Sequence, residues 1–250
     1  MKKRLWLIAI GILTLVVLAI IYWFYFSKPT SFPTNERLIE EMNNSFPSAA
    51  ASEIQDTIPV DDNNVLVPFI SKNDDYSLSY WVWKRHKWRI ASIDTKGTPM
   101  LWKVDRNHPS SYRVVWNIHP EDQLSYAAFY LLKDRAYHIT KGIEHYEPGV
   151  QMMKEISLDE KSYGMLQLPE EWAAFMGSLS EFGAARQEDT FYYRFSPAQY
   201  MSIGWIPYDQ QNHEAYPERS VNGSGFSNEN VFLDHVRILD ESEIEIPKQE

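Results

Sequence analysis

Two His-x-Glu pairs, His119/Glu121 and His145/Glu147, come closest to a metal-binding pattern in this chain. Residues two apart on a strand share a face, so each pair can aim an imidazole and a carboxylate at one ion. Pro120 interrupts the first pair and turn residues flank both, so polar loop contacts are the expected role and no metal site is predicted. Glycoside hydrolysis needs two carboxyl groups about 5–9 Å apart. Asp94, Asp105, Glu121 and Asp122 stand near strand ends and tryptophans, but spacing alone pairs none of them. Gly223-Ser224-Gly225 lacks the first glycine of a G-x-S-x-G elbow, because Asn222 stands there. Phosphate-binding glycine loops, H-E-x-x-H, an EF-hand loop and S-x-x-K are all missing. With no cysteine, disulfides, thiolate metal sites and a cysteine nucleophile are excluded. Catalytic residues stay unassigned, no cofactor is expected, and the reading leans away from an enzyme.

Binding chemistry is better represented. Trp81 and Trp83 alternate along a strand-like run and lead into Lys84, Arg85, His86, Lys87 and Arg89. An aromatic pair beside clustered cations suits stacking on sugars or contact with anionic polymer or lipid headgroups. Trp81, Trp83, Arg85 and Lys87 are therefore the candidate binding residues. Trp88, Trp116 and Trp172 read as core. The chain has 24 Lys and Arg against 34 Asp and Glu, a net charge of −10, which argues against a nucleic-acid partner.

The elements that must position these residues begin with an unusual N-terminus. Leu5 to Phe26 is an uncharged run preceded by Lys2, Lys3 and Arg4. As a helix it would reach about 33 Å, against about 30 Å of bilayer hydrocarbon. The cations in front and the aromatics Tyr22 to Phe26 behind predict an uncleaved transmembrane anchor. Residues 1–27 are then cytoplasmic tip and anchor, and 28–33 a stalk. The bulk of the chain would lie outside the cell.

The rest predicts an α+β fold. Thr34 or Asn35 caps a helix over 35–45, with Leu38, Ile39, Met42 and Phe46 on one stripe. Pro47 opens a second helical turn through Ala51 and Ile54. Strands are expected at 65–70, 76–83, 88–93 and 100–104, which makes 34–105 a helix-plus-antiparallel-sheet unit. The polar stretch Asp105 to Ser111 is the expected boundary. A β-rich second unit, 106–250, follows, with strands at 112–118, 126–132, 135–140, 150–158, 163–168, 191–195, 200–206 and 231–239. Pro169, Glu170 and Glu171 open one helix near 169–182. Tyr208 to Asn230 reads as a long polar loop.

The opening MKKRLWLIAIGILTLVVLAI, with VLVPFISKNDDYSLSYWVWKRHKWRIASIDTKG and SSYRVVWNIHPEDQLSYAAFYLLKDRAYHI, resembles uncharacterised membrane-anchored extracytoplasmic proteins of Bacillus-like Firmicutes. The resemblance implies a location and no activity. The expected function is a membrane-anchored extracytoplasmic binding or interaction module of the cell envelope, non-enzymatic. Its expected partners are the membrane, through Leu5 to Phe26, and a cell-wall polymer or another membrane protein. A sensor ectodomain acting through a membrane partner and an envelope hydrolase are the alternatives.

Overall fold

A computed structural model describes residues 2–26, 29–140, 142–186, 201–228 and 231–245. It is mainly β: three α-helices and sixteen strands among the described residues. The α+β expectation is corrected accordingly. Segments that read as helix, turn or loop are strands. Ala51–Ile54 (β1) follows a single 3-10 turn, Pro47–Ala49, because Ala50 adopts a left-handed φ of 45° that ends the turn. Ile58–Asp61 (β2) and Ile143–Glu147 (β10) pair with neighbours that supply their backbone hydrogen bonds. The expected strand over 191–195 lies outside the described residues.

The N-terminal run forms a helix, α1 (Lys2–Phe26). Among the described residues, however, no helix is long and apolar enough to cross a membrane. The transmembrane anchor is therefore corrected, and with it the cytoplasmic N-terminus and the extracellular body inferred from it.

Three sheets stack in order. The first carries β1, β3 (Asn64–Ser71), β4 (Tyr76–Lys84), β5 (Lys87–Asp94) and β14 (Gly225–Ser227), with β2 beside β3. The second runs β12 (Tyr163–Gln167), β7 (Arg113–Asn117), β6 (Gly97–Trp102) and β15 (Leu233–His235). The third runs β11 (Val150–Ser157), β8 (Leu124–Lys133), β13 (Met201–Asp209) and β16 (Arg237–Ile238). β6 and β7 pair with each other, so Asp105 to Ser111 is a loop inside one sheet.

Alternation along each strand sends side chains to opposite faces, and here both faces are covered. On β4, Trp81 joins Val65, Val67 and Phe69 under Leu38 and Met42 of α2 (Asn35–Ser45). Leu78 and Tyr80 of the same strand turn the other way, onto Met100, Trp102 and Val115 of the second sheet. Val114 and Trp116 of β7 face the third sheet, meeting Phe129, Leu131 and Trp205, with Trp172 of α3 (Glu170–Arg186) closing the end. Tyr130, Ile206, Tyr208, Leu239 and Ile244 cover the outermost face. Four apolar layers explain why strands such as Val65 to Phe69 read as continuous hydrophobic runs.

The long polar segment after Tyr208 is tied down. Glu214 bridges back to Tyr208, Ser224 exchanges hydrogen bonds with Thr95, and β14 adds to the edge of β5. One sheet stands apart: β9 (Ala136–Thr140) and β10 form a two-stranded hairpin that joins no other strand among the described residues.

Candidate functional site

The β4–β5 hairpin separates the four candidate binding residues. Trp81 is fully buried, and its Nε1–H donates to Ser79 Oγ at 3.0 Å, so it is a core residue. Trp83 is half-buried, while Arg85 and Lys87 are exposed at the tip. Arg85 and His86 form the two-residue turn with φ of 54° and 59°, the positive pair that matches strand twist. Trp83 lies across from Trp88, with ring centroids 5.6 Å apart. Phe32 meets Trp88 edge-on at 4.9 Å, and Trp88 Nε1–H donates to the Thr30 carbonyl at 3.1 Å. The tip thus joins Trp83, Arg85 and Lys87 and excludes Trp81.

A second feature lies where the three sheets meet. A cavity of about 310 Å³ is bounded by Gln55, Tyr76, Ile118, His119, Leu124, Leu158 and the turn Asp159 to Ser162. Its polar wall is organised around Asn117, at the end of β7 and wholly buried between the first two sheets. The Asn117 amide donates to the Ser77 carbonyl at 2.8 Å and to Gln55 Oε1 at 2.7 Å. Gln55 in turn donates to Ser162 Oγ at 3.1 Å, and the Ser162 hydroxyl donates to Asn117 Oδ1 at 3.2 Å, closing a ring. Close approach of two strands is built in: a Cβ on Gly97 would lie 1.9 Å from the Asn117 carbonyl oxygen, so only glycine fits there.

His119 forms another part of the wall and is also buried. Its Nδ1 accepts the Glu121 N–H at 3.0 Å, so Nε2 carries the proton and donates to the Asp74 carbonyl at 2.9 Å. With Nε2 so engaged, the Arg219 guanidinium 3.2 Å away is held by the carboxylates of Glu121 (3.3 Å) and Asp74 (3.9 Å). Asp122 accepts the Arg219 N–H and the Ser220 hydroxyl, and the His119 N–H donates to Ser220 Oγ at 2.7 Å. These bonds clamp the long segment onto the cavity wall. At the mouth, Asp159 accepts the Ser125 hydroxyl, and Lys161 lies 3.9 Å from Asp56 and over the Tyr163 ring.

The remaining sequence candidates are held by separate partners. The Glu121 carboxylate faces Arg219 rather than His119, so the first His-x-Glu pair does not converge. Glu147 of the second pairs with Lys133 at 3.2 Å. Among the described residues, no group of three His, Asp or Glu side chains is placed to hold a metal. Asp105 accepts the Asn107 N–H and bonds His108, which holds its carboxyl below the usual range. Asp94, on β5, is pushed up to about 6 by burial, only partly offset by the Tyr80 hydroxyl and by His235. Tyr80 Oη and Asp94 Oδ2 are both buried and meet no partner at good hydrogen-bond geometry. Ser224 is fixed against Thr95 rather than presented on an elbow.

Gln55, Asn117, His119 and Ser162 were not assembled into a site by sequence reasoning. The signal for Asn117 was present: it is an amide inside the apolar run Val114 to Ile118. A buried amide there has to be satisfied by side chains brought from other sheets. No protein-family model, curated protein or solved structure matches this chain.

Proposed function

We propose that this protein is a non-enzymatic binding module that seats a small ligand in the cavity between Gln55, His119 and Ser162. The observation that carries the reading is the state of the wall: its polar groups, the buried Asn117 and His119 and the half-buried Gln55 and Ser162, are held by hydrogen bonds. Gln55, Asn117 and Ser162 close a ring, and both His119 nitrogens are engaged by backbone. Groups held in this way form a rigid, preorganised surface for recognition. The carboxyl raised toward neutrality, Asp94, does not line the cavity. The volume is at the lower end for small-molecule sites. Ile118, Leu124 and Leu158 offer apolar contact, Gln55 and Ser162 hydrogen bonds, and the Asp159–Glu160–Lys161 turn charge of both signs. The hairpin end with Trp83, Arg85 and Lys87 is a second contact surface of the same module, suited to an anionic partner such as a wall polymer.

Saturation-transfer NMR on the full chain, with free amino acids, amino sugars and short alkylamines as probes, tests the cavity. One of these classes is expected to show transfer and to be recovered chemically unchanged. Leu124→Trp, which fills the cavity from a half-buried wall position, should abolish transfer while the thermal midpoint holds. Transfer that survives Leu124→Trp, conversion of a probe, or silence from all three classes overturns the proposal.

A further inference from the structure

The β9–β10 hairpin differs from every other strand pair in the described residues in standing alone. Its register places Tyr137 opposite Tyr146 and Ile139 opposite Glu144, so Tyr137, Ile139 and Tyr146 share one face, with Glu144 at its edge. All three are more than half exposed, at 58%, 57% and 63%. An isolated two-stranded hairpin is marginal in water, and an open strand edge is a template for another strand. The two edges are not equivalent. β10 carries Glu144 and Glu147, the kind of charge that protects an edge, whereas β9 reads Ala-Tyr-His-Ile-Thr, with no charge and no proline.

We propose that the β9 edge pairs with the β9 edge of a second copy of this chain, extending the hairpin into a four-stranded antiparallel sheet β10–β9–β9–β10 across a two-fold axis. The occupant follows from the charge pattern. A two-fold centred on residue 138 sets Tyr137 of one copy against Ile139 of the other, and the reverse, so that no charged side chain of either strand meets another. Tyr146, Tyr137 and the second copy's Ile139 then form a continuous apolar stripe, and the symmetry repeats it. Arg135, just before the strand, is already neutralised by Glu245 at 2.6 Å. A neutral edge carries nothing to select a charged foreign strand, but it is complementary to itself. This surface is independent of the cavity.

Sedimentation equilibrium of the full chain tests the pairing. The interface is far below the roughly 800 Å² per partner of stable complexes, so dimer formation is expected at a Kd on the order of 100 µM. Each copy carries a net charge of −10, so added salt should strengthen association by screening repulsion. Ile139→Lys, at an exposed position that folding does not depend on, should return the chain to monomer. Tyr216→Lys, exposed elsewhere, should not. Because the chain has no cysteine, His138→Cys introduces a single thiol on the axis, and oxidation should link two copies, whereas Tyr216→Cys should not link them. A chain that stays monomeric at about ten times that concentration overturns the proposal. So does association that persists in Ile139→Lys, or equal cross-linking from both thiol positions.

Discussion

The β4–β5 and β9–β10 hairpins are built from similar material and meet opposite fates. Both are antiparallel, and both set an aromatic pair across the strands: Trp83 with Trp88, Tyr137 with Tyr146. In the first hairpin Trp81 and Tyr80 are fully buried, one on each face. In the second, Tyr137 and Tyr146 are mostly in solvent. Local sequence sets the strand and its turn, but position in the stack sets the energy of each side chain. β4 lies between α2 and the second sheet, while β9 has a neighbour on only one edge among the described residues. Truncation separates the two cases most widely. Trp81→Ala should cost about 3–5 kcal/mol by urea unfolding, the usual range for removing a buried aromatic. Tyr137→Ala, measured at a concentration where the chain is monomeric, should stay within about 0.5 kcal/mol. Comparable losses at the two positions would erase the distinction between embedded and projecting hairpin.

The embedded hairpin also pays for its position with a buried acid, Asp94. Ionising near 6 in the fold and near 4 in the unfolded chain, this carboxyl makes its charged form costlier in the fold by about 3 kcal/mol. The folded state therefore binds more protons between those values, and stability falls as pH rises through them. The loss is absent below about pH 4 and complete above about pH 7. Asp94→Asn removes the charge. It should raise stability at pH 8 by up to about 3 kcal/mol and flatten the decline between pH 4 and 7, with the gain vanishing at pH 4. Urea midpoints across that range check both the size and the sign. An unchanged slope would place the titrating group elsewhere.

The same contrast explains what the sequence could and could not reveal. The α2 stripe of Leu38 and Met42, the alternation through Tyr76 to Trp83 and the helix opening at Pro169 are local patterns, and each falls on an observed element. The assignment of Trp81 to a binding surface failed because a neighbour 49 positions earlier in the chain, Phe32, and helix α2 cover that face. Nothing within the strand announces them. The short strands β2 and β14 have weak patterns of their own and exist because a longer strand, β3 or β5, offers an edge. The cavity was invisible for the same reason, since Gln55, Asn117 and Ser162 meet only when three sheets converge. The N-terminal run failed differently. Its length, its lack of charge and its flanking cations and aromatics predicted an anchor, and among the described residues no helix is long and apolar enough to cross a membrane.

A smaller gain lies at the tip of the embedded hairpin, where packing no longer decides. Arg85 and His86 both hold positive φ, a conformation in which Cβ crowds the backbone and which Asn and Gly adopt with less strain. The turn is nevertheless fixed, because the register Trp83 to Trp88 and Lys84 to Lys87 leaves two residues to reverse the chain. Two-residue hairpins favour turns of this hand, so the strands and not the loop residues impose the geometry. Replacing Arg85-His86 by Asn-Gly should therefore relieve strain without altering the fold and stabilise the protein by roughly 1 kcal/mol. Glycine at the second position also widens the unfolded ensemble, which sets a ceiling on the gain. The same exchange removes one of the exposed cations of the tip and leaves the cavity untouched, so binding of the cavity probes should not change. A double variant that loses stability would mean that the Arg85 or His86 side chain contributes more through its contacts than its backbone conformation costs.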